Sequence, residues 1–159
     1  NTSQAHNQPI ISEMSQYGLL VFSRSIMFKI MFTLVVSVEP VAKQRARILK
    51  TGHSYTPNKT KKYEDLLRST FLAYAKKNKI KPFDSPLFLS VEFYLPRPKT
   101  NKLKKPTSRP DLDNYLKCVM DAGNDILWKD DSFIVEVSCV KRYADYVIPS
   151  VVMKVGSAV

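Results

Sequence analysis

Apolar side chains occupy every second position from Leu87 to Leu95, and this strict alternation constrains the fold more than any other feature of the sequence. A period of two is typical of a β-strand with one face in a core. The next segment, 96–110, contains four prolines and a dense set of Lys and Arg, with Leu103 as its single hydrophobe. Such a segment is predicted to be an exposed cationic loop. The chain therefore has to place a buried strand directly before an exposed basic loop.

Elsewhere a period of two again predicts strands, and steps of three and four residues predict helices. Besides the strand at 87–95, these patterns predict a strand over 31–38, helices over about 60–77 and 113–123, and strands over 132–142 and 147–155. The order β-α-β-α-β-β predicts a single small α+β domain, in which a mixed β-sheet is covered by two helices.

The first thirty residues show no clear period and open without a Met. We expect 1–30 to be an N-terminal extension (a tag, an upstream read-through or a flexible arm) and 31–159 to be the folded domain. Cys118 and Cys139 lack the spacing of a zinc site, so both are expected to be reduced core thiols of a cytoplasmic protein. No apolar run approaches the roughly 20 residues that cross a bilayer, so no membrane association is expected. No Gly-rich phosphate loop is present, so no nucleotide cofactor is expected.

The positive charge is concentrated in one part of the chain. The net charge is +11, and residues 31–110 contain 18 Lys and Arg against 5 Asp and Glu, whereas residues 111–159 contain 5 against 8. A basic body favours a polyanionic partner such as nucleic acid, because Lys and Arg that meet phosphates release condensed counterions. Composition alone leaves open the alternative that the charge serves solubility.

Two carboxylates, Asp111 and Asp113, follow the basic loop and precede the second predicted helix. Side chains two residues apart in an extended chain point the same way, so both can reach one cation. A third acidic element, Asp130 and Asp131, lies at the start of the next predicted strand and would complete the ligand set if that strand runs beside the helix entry. Carboxylates, waters and substrate phosphate oxygens are the ligands that Mg²⁺ takes.

Each of these residues also has a purely structural interpretation. Asp111 or Asp113 could cap the helix, and Asp113 could form an i,i+4 ion pair with Lys117, worth only about 0.2–0.5 kcal/mol. Asp130 and Asp131 could be turn residues before the strand. The grouping of three acidic positions next to a loop that attracts phosphates favours the metal-binding interpretation, with Lys117 one helical turn beyond Asp113 and on its side.

Several short motifs occur together in this chain. The C-terminal half contains Asp-Leu-Asp-Asn at 111–114, Lys117 three residues further on, Asp121-Ala122, and Trp-Lys-Asp-Asp at 128–131. The N-terminal half contains Pro-Val-Ala-Lys-Gln-Arg-Ala-Arg at 40–47, Tyr-Thr-Pro at 55–57 and Tyr63-Glu64. With these motifs the sequence resembles the RusA-type Holliday junction resolvases over about residues 31–155. Gly123 and Asp125 depart from the family pattern, which has a larger apolar residue and a Gly there, so the turn after the second helix is expected to differ.

The resemblance implies a Mg²⁺-dependent endodeoxyribonuclease, with Mn²⁺ able to substitute, that nicks four-way DNA junctions in recombination and repair. The family's catalytic and metal-holding acids fall on Asp111, Asp113 and Asp131, and its active-site lysine falls on Lys117. We interpret Asp121 and Asp130 as supporting or structural residues. The candidate DNA-binding residues are basic side chains of two segments: Lys43, Arg45, Arg47, Lys102, Lys104, Lys105 and Arg109.

The resemblance also implies a homodimer, and a two-fold pair would supply the second active site that a junction with two nicks requires. The apolar faces of the last strand are expected to be buried by the second copy, namely Val147, Val151, Met153 and Val155. Two alternatives stay open. One is a protein of the same fold that binds DNA junctions without cutting them, and the other is a Ca²⁺-stabilised structural domain, which would leave the basic body unexplained.

Overall fold

The computed structural model describes residues 11–13, 19–22, 26–44, 47–48, 54–55, 57–100 and 102–159. The strands are β1 (Ile11–Glu13), β2 (Leu19–Phe22), β3 (Ile26–Val36), β4 (Arg47–Ile48), β5 (Ser54–Tyr55), β6 (Leu87–Leu95), β7 (Ile134–Tyr143) and β8 (Ser150–Ser157). The helices are α1 (Asn58–Lys77) and α2 (Leu112–Gly123), and a 3-10 helix covers Asp131–Phe133. Among these, no helix is long and apolar enough to cross a membrane.

The main sheet is mixed, with the strand order β1-β3-β8-β6-β7 and with β2 also paired to β3. Strand β8 lies between β3 and β6 and is antiparallel to both, whereas β7 runs parallel to β6 at the edge. A parallel neighbour needs a crossover connection, and α2 provides it between β6 and β7. The short strands β4 and β5 form a separate antiparallel pair before α1.

Both helices pack on one face of this sheet. The alternating side chains of β6, from Leu87 to Leu95, lie in the main core together with residues of α1 and α2. Helix α1 contributes Tyr63, Leu67, Phe71 and Tyr74, which recur at helical spacing and are all buried. Burying a side chain such as Phe71 contributes about 1.5–3 kcal/mol, so this stripe is a main source of stability. Phe88 points to the other face, where it packs with Ile30.

The predicted fold class is confirmed, and the four longer strands and two helices follow in the predicted order. The strand at 87–95 has the predicted bounds, and α1 begins two residues before the predicted position. Strand β3 begins earlier than predicted, at Ile26, because its first half pairs with β2. It therefore runs across residue 30, and the division into an extension over 1–30 and a domain over 31–159 stays a prediction.

The prediction that a second copy buries Val151, Met153 and Val155 is wrong. Val151, Met153 and Val155 are buried in the chain's own core, because β8 is an interior strand under the helices. Of the four residues expected to be covered by a second copy, Val147 is 53% exposed, in the loop before β8. Val135 is 61% exposed on the edge strand β7.

The end of α2 is built around Trp128, which is fully buried. Its indole N–H donates to the carbonyl of Met120 at 3.2 Å and to Oδ1 of Asn124 at 3.0 Å. The ring takes the space beside Gly123, where an added Cβ would lie 2.1 Å from Cζ2 of Trp128. Asp125 then turns the chain with a φ of 63°. Both departures from the family pattern therefore belong to one turn, which leads the chain to Asp130 and Asp131.

Candidate active site

Asp111 and Asp113 lie at the N-terminus of α2. Asp111 occupies the N-cap position with an extended backbone, but its side chain makes no capping hydrogen bond. Asp113 is in the first turn and is exposed, and its Oδ1 accepts a hydrogen bond from the Asn114 side-chain amide at 3.3 Å. The carboxylate of Asp111 is therefore not used for capping, and both acids sit where the partial positive charge of a helix N-terminus favours negative groups.

Asp130 and Asp131 differ in what their carboxylates do. Oδ1 of Asp130 accepts a hydrogen bond from the Ser132 backbone N–H at 3.0 Å and so caps the 3-10 helix. The hydrogen bonds from Ser132 hold the pKa of Asp130 below its ordinary value. Asp131 is the first residue of the 3-10 helix and is half-buried. This geometry agrees with the interpretation of Asp130 as a structural residue.

The three predicted ligands are not gathered into one group. Within the described residues, no three Asp, Glu, His or Cys side chains lie close enough together to hold a metal ion. Helix α2 and the 3-10 helix are in contact, but Asp131 precedes the first residue of β7, whereas Lys141 near the other end of β7 binds the carbonyl of Pro110, next to Asp111. Carboxylate oxygens are the donors that a hard divalent cation takes, and in the described part of the chain none of the three acids forms an ion pair. The carboxylate oxygens of these three acids thus suit a divalent metal. In this structure, however, the three side chains are not close enough together to hold one ion.

Lys117 does not pair with Asp113 in this structure. Its ammonium lies 3.6 Å from Oδ1 of Asp121, one turn further along α2, and its side chain is 60% exposed. An exposed i,i+4 contact of this kind contributes little to stability. The Lys117 side chain is therefore held only loosely on the solvent side of α2.

Lys43 has a more enclosed environment. Its ammonium lies 2.7 Å from Oε1 of Glu64 on α1 and also contacts Oδ2 of Asp121 on α2. Burial lowers the pKa of Lys43, but the hydrogen bonds to Asp121 and Glu64 outweigh this effect and raise the pKa above its ordinary value. The backbone N–H of Lys43 donates to the carbonyl of Asn114 at 2.8 Å. Lys43 thus connects the segment after β3 with both helices.

Glu64 and Arg68 contact residues near the candidate site, and the sequence patterns do not predict these contacts. Arg68 Nη1 approaches the carbonyls of Asp121, Ala122 and Asn124 at 3.3–3.5 Å, which satisfies the free carbonyls at the end of α2. Both residues lie on α1, far in sequence from the residues that they contact. Glu64 stands within one of the short motifs, but only the packing of α1 on α2 reveals its partner.

A cleft of about 850 Å³ opens between the segment after β3 and the start of α2. Its lining includes Glu39, Asp111, Lys43, Lys59 and Arg109, so two acidic and three basic side chains share it. Of these, Glu39 and Lys59 are not predicted from the sequence. The cleft is large enough for a sugar-phosphate group, and basic side chains beside a carboxylate suit a phosphate that meets a metal ion.

The remaining predicted DNA-binding residues fall in two segments. Lys102, Lys104, Lys105 and Arg109 are exposed on the cationic loop, as expected. Arg45 lies outside the described residues, and for Arg47 only the backbone in β4 is described. The loop is tied to β7 near its end, because Nζ of Lys141 donates to the carbonyls of Ser108 at 2.9 Å and Pro110 at 3.0 Å.

A basic α+β domain with two exposed carboxylates at a helix N-terminus, directly after a cationic loop, has the features of a DNA-cleaving enzyme. The family described as endodeoxyribonuclease RusA matches residues 37–155. The chain therefore belongs to the RusA family of endodeoxyribonucleases, which are hydrolases of the Holliday junction resolvase type. It is also similar to a Bacillus subtilis (strain 168) protein described as uncharacterized protein YqaN. The two are 33% identical over 122 residues, which cover 67% of this chain and 84% of that protein.

Proposed function

We propose that this protein is a structure-selective endodeoxyribonuclease that resolves four-way DNA junctions by metal-dependent hydrolysis and acts in recombination and repair. The observation that carries the proposal is the position of Asp111 and Asp113, exposed at the start of α2 and directly after the cationic loop. DNA drawn to the loop by its phosphates would meet these carboxylates first. Membership of the RusA family supports the same activity.

Asp111, Asp113 and Asp131 would hold the metal, for which Mg²⁺ is the proposed ion and Mn²⁺ a substitute. When bound, such an ion makes a water molecule more acidic and offsets the negative charge of the phosphate. The three acids are not gathered in the described structure, so the proposal requires Asp131 to approach Asp111 and Asp113 when the metal and the DNA bind.

Basic residues of the chain then position the substrate. Arg109 and Lys59 line the cleft with Asp111 and would bind a phosphate there. The Lys117 ammonium is exposed and only loosely held by Asp121, so it can turn toward the charge that develops on the phosphate during cleavage. A cation that acts on this charge lowers the barrier without taking part in bond making.

The proposal includes a two-fold homodimer, because one chain carries one Asp-x-Asp pair and two nicks need two sites. Val135 and Val137, exposed on the edge strand β7, are the surface that a second copy would cover. An edge strand has unpaired backbone groups that another chain can pair with. Light scattering at micromolar concentration tests whether the protein is a dimer. A protein mass of one chain that persists when junction DNA is present would refute the dimer.

A second candidate function is junction binding without cleavage. The observation in its favour is that the described acidic side chains form no metal-binding group. One experiment separates the two functions: a synthetic four-way junction and a linear duplex of equal length are each incubated with Mg²⁺ and with EDTA. Cleavage of the junction alone, and only with Mg²⁺, supports the nuclease. Junction binding with no cleavage under any condition supports the second candidate.

A further inference from the structure

The loop between β7 and β8 carries three consecutive apolar side chains that are exposed to solvent. Tyr146 is 100% exposed, Val147 53% and Ile148 66%. Single exposed apolar residues are ordinary, but a run of three is unusual unless it has a function. We call residues 146–148 the apolar tip.

The start of the cationic loop holds the apolar tip in place. Arg97 donates two parallel hydrogen bonds to Asp145, from Nε to Oδ1 at 2.6 Å and from Nη2 to Oδ2 at 2.7 Å. Its guanidinium also lies 4.1 Å from the ring centre of Tyr143. In addition, the backbone N–H of Ala144 donates to the carbonyl of Leu95 at 2.8 Å. The paired Arg97 and Asp145 fix the tip beside the cationic loop and compensate the one acidic charge next to it.

The same strand also reaches the proposed active site. Lys141, five residues before Tyr146, binds the carbonyls of Ser108 and Pro110, and Asp111 follows directly. Five residues of extended chain span at most about 17 Å. The apolar tip, the cationic loop and the acids at α2 are therefore joined to one end of β7.

The charge around the tip indicates which partner it fits. Lys102, Lys104 and Lys105 are exposed on the neighbouring loop, which favours a polyanion. A regular duplex offers phosphates and base edges, whereas the faces of its bases are stacked and hidden. A branch point exposes base faces, and aromatic side chains stack on such faces regardless of sequence. A fully exposed Tyr with two aliphatic neighbours suits this surface.

We propose that the apolar tip packs against unstacked bases at the branch point of a DNA junction and so gives the enzyme its preference for branched over linear DNA. The inference rests on the proposed function, since it assumes that DNA is the substrate. It assigns different tasks to the two parts of the surface: the lysines bind any DNA, and the tip recognises the branch.

The test is a binding measurement on the full chain in EDTA, so that no DNA is cut. Fluorescence anisotropy gives the affinities for a labelled four-way junction and for a linear duplex of equal length. Tyr146→Ala is expected to weaken junction binding about ten-fold and to leave duplex binding unchanged. Tyr146→Phe keeps the aromatic face and is expected to bind both as the wild type does. Lys104→Ala is expected to weaken both affinities alike.

Three results would overturn the inference. The first is a Tyr146→Ala variant with unchanged junction affinity, and the second is one that weakens both affinities equally. The third is a Tyr146→Ala variant whose mass in light scattering falls to the mass of one chain. That result would show that the apolar tip is a contact between two copies of the protein. Since Tyr146 is fully exposed, the Tyr146→Ala variant should unfold at the same temperature as the wild type. A matching unfolding temperature excludes misfolding as the cause of a weaker affinity.

The same measurements separate this inference from the proposed function. If the wild type itself does not bind DNA, the proposed function fails and the inference fails with it. If the wild type prefers junctions and Tyr146→Ala keeps that preference, only the inference fails.

Discussion

The ammonium of Lys43 lies 2.7 Å from Oε1 of Glu64, and this contact links the segment after β3 to helix α1. The same ammonium contacts Asp121, so two carboxylates from different helices meet at one cation. Without Lys43 the two negative charges would face each other in a partly buried position, where their mutual repulsion is poorly screened. Lys43 therefore stabilises the packing of α1 on α2, and with it the position of the acids at the start of α2.

We predict that Lys43→Met lowers the free energy of unfolding by about 1–2 kcal/mol, because charged hydrogen bonds are removed at a partly buried position. Urea denaturation measures this change, with Lys62→Met, an exposed lysine of α1, as the matched control. DNA binding gives a second measurement. If Lys43 bound a phosphate, its replacement would reduce the log–log salt slope by about 0.9. Lys43 is a DNA-binding candidate from its sequence, but its ammonium is paired with Glu64 and Asp121, so we expect the slope to stay unchanged. A reduced slope would support the DNA contact instead.

The turn at the end of α2 gives two predictions about stability, one of a loss and one of no change or a gain. Gly123→Ala should destabilise the protein by about 1–3 kcal/mol, because the added methyl group would overlap the buried ring of Trp128. Asp125→Gly should be neutral or stabilising by up to about 1 kcal/mol, because the φ of 63° is a conformation that glycine adopts without strain. Thermal and urea denaturation measure both changes. A Gly123→Ala variant as stable as the wild type would contradict the packing described for Trp128.

Much of the fold could be predicted from the sequence because its signals are local. The alternation from Leu87 to Leu95 and the helical steps from Tyr63 to Tyr74 each report one buried face, and the structure has both faces in the core. The placement of β8 inside the sheet could not be predicted in this way. A strand with apolar residues on one face has the same pattern whether the chain itself or a second copy covers that face, which is why the prediction for Met153 is wrong.

The site could be predicted only as far as its residues are neighbours in sequence. Asp111 and Asp113 share one helix N-terminus, and the cationic loop precedes them directly. The contact between Lys43, Glu64 and Asp121 depends on how α1 packs on α2, and no local pattern contains that information. The i,i+4 rule allows Lys117 a partner on either side along the helix, and the structure pairs it with Asp121 rather than Asp113.

The two cysteines should be unreactive in the folded protein at neutral pH. Burial raises the pKa of Cys118 to about 12, with a further contribution from the charge of Glu64, and burial raises the pKa of Cys139 to about 11. Unfolded thiols have a pKa of roughly 8.5, so the stabilising effect of the neutral thiols is complete below that pH and disappears as the pH rises toward the folded values. We expect iodoacetamide at pH 8 to modify both cysteines in urea and neither in buffer, as measured by mass spectrometry. Rapid labelling of Cys118 in buffer would contradict its burial.

The cationic loop should control the salt dependence of DNA binding. Replacing Lys102, Lys104 and Lys105 by Ala should weaken binding to junction and duplex alike, and it should reduce the log–log salt slope by about 0.9 for each phosphate that the loop no longer binds. These side chains are exposed on a loop tied to β7, so the stability of the fold should not change. Anisotropy titrations between 50 mM and 200 mM salt, a range over which counterion release is large, provide the measurement. An unchanged slope would show that the loop is only solvated.

The central claim is that Asp111, Asp113 and Asp131 together hold the metal with which the enzyme cuts DNA. Its most direct test is cleavage of a synthetic four-way junction in Mg²⁺ by the variants Asp111→Asn, Asp113→Asn and Asp131→Asn. Asp125→Asn is the matched control, since it removes one exposed carboxylate outside the proposed site. We predict that each of the three variants cuts about 100-fold or more slowly, because an amide lacks the charge to hold the ion. We also predict that junction binding in EDTA is retained and that the control cuts like the wild type. Cleavage at the wild-type rate by Asp113→Asn would contradict the claim.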